Sequence, residues 1–131
     1  MSDSTLTAAA TLFKALAHPV RIRVLAMLRA GELCVCQVTA IAGLAYSTMS
    51  VHLRELRRAG LIEERKEGRW VYYRLTSDPE ASALLDDVFR RAANDPQVAA
   101  DVRVLGRVCC FPPEEVCKAG LDPDRLPAKE A

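Results

Sequence analysis

The stretch that decides the fold is residues 34–60, which read CVCQVTAIAGLAYSTMSVHLRELRRAG. Apolar residues recur every three or four positions on both sides of Gly43, which predicts one helix over residues 34–42 and a second over residues 47–59. Gly43 favours a tight turn between the two, and Gly60 favours the left-handed backbone that ends a helix. Two helices joined by such a turn are typical of a helix-turn-helix.

The segments around this unit complete a recognisable order of elements. Residues 61–66 and 69–76 alternate apolar and polar side chains on either side of Glu67-Gly68, which predicts a β-hairpin, or wing. Ser77 and Glu80 fit a capping box that opens a helix. The four further helices are predicted at residues 4–16, 20–29, 77–93 and 95–106. The predicted fold class is therefore mainly α with a small β-hairpin, a winged helix-turn-helix.

The length of 131 residues fits one domain. We assign residues 1–110 to a winged helix-turn-helix domain for DNA binding and dimerisation, with the helix-turn-helix at 34–59 and the wing at 61–76. Residues 111–131 hold four of the seven prolines and are predicted to form an irregular Pro-rich C-terminal tail. The first and fifth predicted helices are too apolar to stay bare in so small a domain. We therefore expect a homodimer that forms through the terminal helices.

Charge is distributed unevenly along the chain although the net charge is only +1. Residues 46–76 hold seven basic against four acidic side chains, whereas residues 77–106 hold three against six. This contrast favours a local DNA-facing surface, and ordinary surface scatter is the alternative. No apolar run approaches the ~18–20 residues of a membrane span, and no signal-peptide pattern opens the chain. We expect a cytoplasmic protein with no membrane partner.

A recognition helix presents its N-terminal residues to base edges in the major groove of DNA. Hydroxyl groups there can bond bases or phosphates, and Val51 can touch a thymine methyl group. Arginines further along the helix and basic residues at the wing tip can reach phosphates. For His52, a hydrogen-bonded supporting role is the stronger interpretation, and for the whole set the alternative is a solvated charged face. The predicted DNA-binding residues are Tyr46, Ser47, Thr48, Ser50, Val51, His52, Arg54, Arg58, Arg65, Lys66 and Arg69.

Five cysteines point to metal or redox chemistry, because an odd number without a signal peptide argues against a disulfide framework. Cys34 falls at a helix N-cap and Cys36 at the second helical position, so their side chains point to different sides of a regular helix. Holding one ion would therefore force the first helical turn open. We also expect the helix N-terminus to lower the thiol pKa values. The candidate metal ligands are Cys34, Cys36, Cys109, Cys110 and Cys117, and packing as small apolar side chains is the alternative.

The ligand chemistry favours a soft ion. Thiolates suit As(III) and Sb(III), whereas zinc needs four ligands. Only His18 and His52 are available as histidine ligands, and neither has ligand spacing to another histidine or to an aspartate. The three C-terminal cysteines can form a site of their own or supply a third ligand to Cys34 and Cys36. They are Cys109, Cys110 and Cys117. We expect As(III) or Sb(III) as the inducer and no organic cofactor.

Several segments resemble the ArsR/SmtB family of metal-responsive repressors, and specifically its arsenic and antimony branch. The resemblance covers residues 12–76. It includes FKALAHP at residues 13–19, ELCVC at 32–36, STMSVHL at 47–53 and GRWVYY at 68–73. The ELCVC segment is the specific signal, and the others are family-wide.

The resemblance implies a homodimer that occupies a palindromic operator and blocks an arsenic-resistance operon until arsenite or antimonite binds Cys34 and Cys36. Family members commonly have a third cysteine where this chain has Thr39, which directs attention to the tail cysteines. Some members use a C-terminal cluster alone, which resembles Cys109, Cys110 and Cys117. Ala45 stands where a capping serine is usual and Val51 where a basic residue is usual, so the departures concern the base contacts.

Three other functions compete with this one. The same repressor could respond to thiol oxidation, to persulfide, or to cadmium or lead. A small thiol enzyme usually places a Cys-x-x-Cys pair beside a sheet. This chain instead has a Cys-x-Cys pair on a helix and little sheet, so we expect no enzymatic activity. The third alternative is a dimerisation or adaptor module with no DNA role, which unchanged DNA affinity after replacement of Arg65, Lys66 and Arg69 by alanine would favour.

Overall fold

The computed structural model describes residues 5–109, 111–120 and 122–126. Within that part of the chain the protein is mainly helical, with one small antiparallel sheet, as the sequence predicts. Two single 3₁₀ turns lie at Leu28–Ala30 and Pro123–Arg125. The elements, in chain order, are α1 (Thr5–Leu16), α2 (Pro19–Met27), β1 (Leu33–Cys34), α3 (Val35–Ala42), α4 (Tyr46–Arg58), β2 (Ile62–Glu67), β3 (Trp70–Leu75), α5 (Pro79–Ala92), α6 (Pro96–Val108) and α7 (Pro113–Lys118).

The helix-turn-helix consists of α3 and α4, as predicted. Gly43 has φ 70° at the end of α3, and Gly60 has φ 76° just after α4. Both conformations lie in the left-handed region, where a side chain on Cα would be strained. The two glycines therefore fix where each helix ends and how the chain turns toward the next element.

The wing is part of a three-stranded sheet with the order β1-β3-β2. Strands β2 and β3 form the predicted hairpin, with Ile62 opposite Leu75 and Glu67 opposite Trp70. The turn is Gly68-Arg69, one residue later than predicted. Strand β1 was not predicted, because a two-residue strand has no detectable alternation. It joins the segment before α3 directly to the middle strand of the sheet.

The hydrophobic core surrounds α3, which packs against α2, α4, α6 and α7. Every residue of α3 after Val35 is buried, including Gln37 and Thr39. The inward face of α4 supplies Met49, Leu53 and Leu56, as its periodicity predicts. A displacement of α3 is therefore transmitted to α4, since dense packing leaves little free space to absorb it.

The C-terminal segment corrects one prediction. Residues 111–131 are not wholly irregular, because α7 starts at Pro113, where the missing N–H of proline costs nothing. Val116 of α7 is buried, and so is Leu126 beyond it. The high proline content therefore marks helix starts here as well as irregular backbone. Residues 110, 121 and 127–131 lie outside the described part.

The start of α5 corrects another prediction. Asp78, rather than Ser77, is the N-cap, and its Oδ2 accepts a hydrogen bond from the N–H of Ala81 at 3.0 Å. Ser77 instead donates its N–H and its hydroxyl to Glu63 of β2, both at 2.9 Å. The predicted capping box with Glu80 is thus wrong, because Pro79 at the first helical position shifts the cap by one residue.

The apolar stripe of α1 lies on the outside of the single chain. Leu6 is 84% exposed and Phe13 is 59% exposed, whereas Leu16 is buried. Phe13 lines a shallow apolar groove together with Leu84 and Val88 of α5. The two helices that the sequence marks as too apolar to stay bare therefore do present apolar surface. None of the described helices is long and apolar enough to span a membrane.

Candidate DNA-binding surface and cysteine site

The N-terminal half of α4 presents a surface suited to the major groove. Tyr46 is 52% exposed and Val51 is 43% exposed, and Ser47 and Thr48 are also exposed. Ser50 is half-buried at the edge of this face. No side chain caps the first turn of α4, where Ala45 is the N-cap. The first N–H groups of α4 consequently point outward, and such groups bind phosphate oxygens well.

The second half of α4 carries three arginines. Arg54 and Arg58 are exposed and form ion pairs with Glu55 at 3.8 and 3.5 Å. Exposed ion pairs of this length are weak, so both guanidinium groups can turn to a DNA phosphate. Arg57 differs, because its Nη1 is paired with Oε2 of Glu64 on β2. It connects the recognition helix to the wing.

Glu64 links α4 to the wing, a contact that sequence reasoning missed. It lines a groove between α4 and the wing, and its Oε2 accepts both the Arg57 pair and the hydroxyl of Tyr73, 3.3 Å away. Burial, followed by the nearby Glu64 charge, raises the pKa of Tyr73 to about 12. The Tyr73 hydroxyl therefore stays protonated and donates. An acidic residue in a basic hairpin gives no sequence signal for this role.

The three predicted wing cations are not equivalent. Lys66 and Arg69 lie exposed beside the turn. Arg65 instead binds Glu32 at 2.6 Å and Glu67 at 2.8 Å, and its guanidinium carbon lies 4.6 Å from the ring centroid of Tyr72. The structure thus leaves Lys66 and Arg69 as the cations most available to DNA.

The position of His52 corrects its inclusion among the DNA-contacting residues. Its side chain is buried, its Nδ1 accepts a hydrogen bond from Nε of Arg21 at 3.1 Å, and its ring lies 4.5 Å from that of His18. His18 in turn caps α2, since its Nδ1 accepts from the N–H of Val20 at 3.2 Å. This cluster anchors the inner face of α4 to α2, as the supporting interpretation expected.

We predict that acid weakens the fold through His52. Burial, and after it the nearby His18 and Arg21, lowers the pKa of His52 below its ordinary 6.5. As the pH falls through about 6.5, His52 binds a proton in the unfolded chain but not yet in the folded chain. The contribution of neutral His52 to the free energy of unfolding is therefore fully present above that pH and decreases below it. Urea unfolding at about pH 7.5 and about pH 5.5 measures the difference. His52→Asn, which keeps an acceptor for Arg21, should show a clearly smaller fall; an equal fall would assign it to other groups.

We also predict that Arg58→Ala lowers the salt dependence of DNA binding. A lost phosphate contact reduces the slope of log K against log salt concentration by about 1. The measurement is fluorescence anisotropy of labelled DNA at several salt concentrations. Arg103→Ala, which removes an exposed arginine of α6, is the matched control and should leave the slope unchanged. Equal slopes for the two variants would show that Arg58 makes no contact with a DNA phosphate.

Cys34 occupies the N-cap of α3, and Cys36 is at the second helical position, as predicted. The backbone N–H of Cys34 donates to Oε1 of Gln37 at 2.9 Å, which completes a capping arrangement. The predicted lowering of the Cys34 thiol pKa is wrong. Burial raises this pKa, and the backbone N–H groups of Gln37 and Cys36 offset only part of that effect. Cys34 is fully buried, and it pairs with Tyr72 of β3, neither of which the sequence reveals.

The structure joins two of the five predicted ligands across the fold. Cys36 of α3 and Cys117 of α7 are linked as a disulfide, which the odd number of cysteines had argued against, with Cα atoms 6.2 Å apart and a sequence separation of 81. Cys109 lies exposed at the end of α6, and Cys110 falls outside the described residues. No group of three potential metal ligands converges among the described residues. Reduction of the disulfide would give two neighbouring thiols, the ligand type that soft ions prefer, and Cys34 is two positions from Cys36 in sequence.

A second cluster, which the sequence did not indicate, contacts the C-terminal end of α3. Arg23 of α2 forms a bidentate ion pair with Asp101 of α6, at 2.8 and 2.9 Å, and Asp101 is buried. Arg23 also donates to the carbonyl of Ala42 at the end of α3, at 3.3 Å. Gln97 adds a hydrogen bond to Asp101 at 3.0 Å. The pair therefore fixes the last turn of α3, immediately before the helix-turn-helix turn.

Comparison with known proteins gives the same picture. Residues 18–64 match the family model described as bacterial regulatory protein, arsR family. The chain is 38% identical over 102 residues to the arsenical resistance operon repressor of Escherichia coli K12, covering 76% of this chain and 86% of that protein. It is 42% identical over 80 residues to the arsenic resistance transcriptional regulator ArsR1 of Pseudomonas putida, covering 60% of this chain and 61% of that protein.

A solved structure supports the fold assignment. The homodimeric winged helix-turn-helix DNA-binding domain Mb0332 from Mycobacterium bovis, a possible ArsR-family transcriptional regulator, superimposes with a TM-score of 0.61 at 29% identity. The match covers 73% of this chain and 94% of that one. The order of elements, the recognition surface and these likenesses agree, and the chain belongs to the ArsR family of bacterial regulatory proteins, which are DNA-binding transcriptional regulators.

Proposed function

We propose that this protein is a homodimeric repressor of an arsenic-resistance operon, and that As(III) or Sb(III) releases it from operator DNA by binding cysteine thiolates. The observation that carries the proposal is the position of Cys34 and Cys36 on either side of the start of α3, the buried helix on which α4 packs. The names of the Escherichia coli and Pseudomonas putida relatives support arsenic as the signal.

The ligand set that we propose is Cys36 and Cys117 with Cys34 as the third thiolate. Cys36 and Cys117 already lie side by side in space. Cys34 belongs to β1 and Cys36 to the first turn of α3, so their side chains leave the backbone on different sides. A pyramidal ion that holds all three must draw Cys34 out of its place opposite Tyr72 or open the first turn of α3.

Such a movement reaches DNA by two routes. Because α3 is buried against α4, an opened first turn changes the angle of the recognition helix. Because β1 is paired with β3, a displaced Cys34 also disturbs the wing. Both changes disfavour the DNA-bound arrangement, and the ion then needs only to bind the released form more tightly than the bound form.

The homodimer rests on the exposed apolar residues of α1 and α5 and on the homodimeric Mycobacterium bovis neighbour. Leu6 and Phe13 of α1 and the groove beside Leu84 offer a self-complementary surface. Two copies related by a two-fold axis place two α4 helices on successive major grooves, which matches a palindromic operator.

The proposal is tested with the reduced full-length chain and labelled DNA from the region upstream of its own operon. Arsenite should lower DNA anisotropy to the value of free DNA, and the release should reverse when a competing dithiol removes the arsenic. The control is the Cys34→Ser, Cys36→Ser double variant, which should bind the same DNA and ignore arsenite. DNA that stays bound to the wild-type chain at saturating arsenite would refute the proposed inducer.

A second candidate function is a repressor that senses thiol oxidation. The observation that favours it is the Cys36–Cys117 pair, whose Cα separation of 6.2 Å suits a disulfide. Peroxide would convert the two thiols and one H₂O₂ into a disulfide and two waters. Comparing DNA release by peroxide with release by arsenite separates the two functions. Release by peroxide alone, lost in Cys117→Ser, would favour the oxidation sensor.

A further inference from the structure

One acidic residue ties the segment before the cysteine site to the wing. The carboxylate of Glu32, immediately before β1, accepts hydrogen bonds from two groups of Arg65 of β2: Nη2 donates to Oε1 at 2.6 Å, and Nε is shared between Oε2 at 3.1 Å and Oε1 at 3.2 Å. The Arg65 guanidinium also covers the ring of Tyr72 and bonds Glu67 at 2.8 Å. A bidentate, stacked arginine of this kind is held in one geometry.

The same contacts follow one row of the sheet. Cys34 pairs with Tyr72 across β1 and β3, and Tyr72 pairs with Arg65 across β3 and β2. Glu32 therefore spans the middle strand and joins the two outer strands on one side. Because β1 is only two residues long, its ladder contributes few hydrogen bonds, and the Glu32–Arg65 pair adds a side-chain link between the segment before β1 and β2.

We propose that Glu32 is a positioning residue that couples the cysteine site to the wing. This inference rests on the proposed function and deepens it. While β1 stays paired with β3, the Glu32–Arg65 pair holds the wing at the angle at which Lys66 and Arg69 meet DNA. When an ion draws Cys34 toward Cys36, β1 leaves Tyr72, Glu32 releases Arg65, and the wing loses its fixed position.

The first test measures DNA affinity without any inducer, and the direction of the change decides it. If Glu32 were only a surface charge, Glu32→Gln would tighten DNA binding, because it removes a negative charge near a polyanion. A positioning role predicts the reverse, a loss of roughly 3–10-fold in affinity. Glu63→Gln is the matched control: it makes the same charge change on β2, the strand that carries Arg65, and Glu63 pairs with Arg74 at 2.9 Å. It should leave affinity unchanged or tighter.

The second test measures coupling. For each variant, the DNA dissociation constant with saturating arsenite is divided by the constant without it, and arsenite binding is followed separately by thiolate-to-arsenic absorbance. Glu32→Gln should reduce this ratio by roughly threefold or more while arsenite binding is unchanged, and Glu63→Gln should keep the wild-type ratio. Thermal melts of both variants check that the fold is intact.

The outcomes separate the two claims. Arsenite that fails to release the wild-type chain refutes the proposed function, and the inducer-free affinity of Glu32→Gln still decides whether Glu32 positions the wing. Affinity equal to or tighter than wild type for Glu32→Gln overturns the inference. Weaker DNA binding by Glu32→Gln with an unchanged ratio of the two dissociation constants also overturns the inference. Glu32 would then support the wing without coupling it to the cysteines.

Discussion

Replacing Cys36 by serine should raise the arsenite concentration needed for half-release of DNA by roughly 100-fold or more, about 2.8 kcal/mol of binding free energy. Cys36 is the one thiol shared by both close pairs: it lies two positions from Cys34 in the chain and against Cys117 in space. Its loss therefore removes both of these close pairs. DNA affinity without inducer should stay within about threefold of wild type, since Cys36 does not reach the DNA surface.

The single variants Cys34→Ser, Cys117→Ser and Cys109→Ser complete the experiment. Cys34→Ser and Cys117→Ser should each weaken the response, and Cys109→Ser should leave it intact, because Cys109 lies exposed at the end of α6. The readout is DNA anisotropy during an arsenite titration of each reduced variant. A full response from Cys36→Ser together with a lost response from Cys109→Ser would move the ion to the C-terminal cysteines.

Replacing Asp101 by alanine should lower the free energy of unfolding by about 3 kcal/mol. Asp101 is 4% exposed, and the substitution leaves the Arg23 guanidinium largely buried without its carboxylate. The link from Arg23 to the carbonyl of Ala42 should loosen as well, so DNA affinity should fall together with stability. Urea denaturation at one fixed protein concentration gives the free energy, since a dimer's stability depends on concentration.

Two further variants show whether the effect belongs to the buried pair. Asp87→Ala removes a carboxylate that pairs with Arg90 and Arg91 on the surface of α5, and it should change stability little. Replacing Arg23 by Met and Asp101 by Leu together removes both charges and should restore much of the loss. A double variant as unstable as Asp101→Ala would mean that lost packing, not the stranded charge, is responsible.

The periodic features of the chain were predictable from the sequence. The turn at Gly43, the inward face of α4 with Met49 and Leu53, and the β2–β3 hairpin all follow from spacing and glycine placement. Strand β1 did not, because two residues carry no period. Helix α7 did not either, because Pro113 at a helix start and a proline in an irregular segment look the same in sequence.

The candidate site was predictable in its residue types and not in its environment. The position of Cys34 at a helix N-terminus was correct, but the sign of its pKa shift depends on its burial in the folded chain. The sequence placed His52 on the recognition helix, and only the packing against His18 and Arg21 shows that it faces inward. The contact of Cys36 with Cys117 joins positions too far apart in the chain for spacing to indicate it.

The small sheet has two open borders, and neither can readily accept a strand from another molecule. One border is β1, which is only two residues long and whose Cys34 N–H is already bonded to Gln37. The other is β2, whose sequence IEERKE places five charged side chains in a row. Short and charged borders are poor templates for intermolecular β-structure. Concentrated solutions of this protein should therefore resist fibril formation, and self-association is left to its helices.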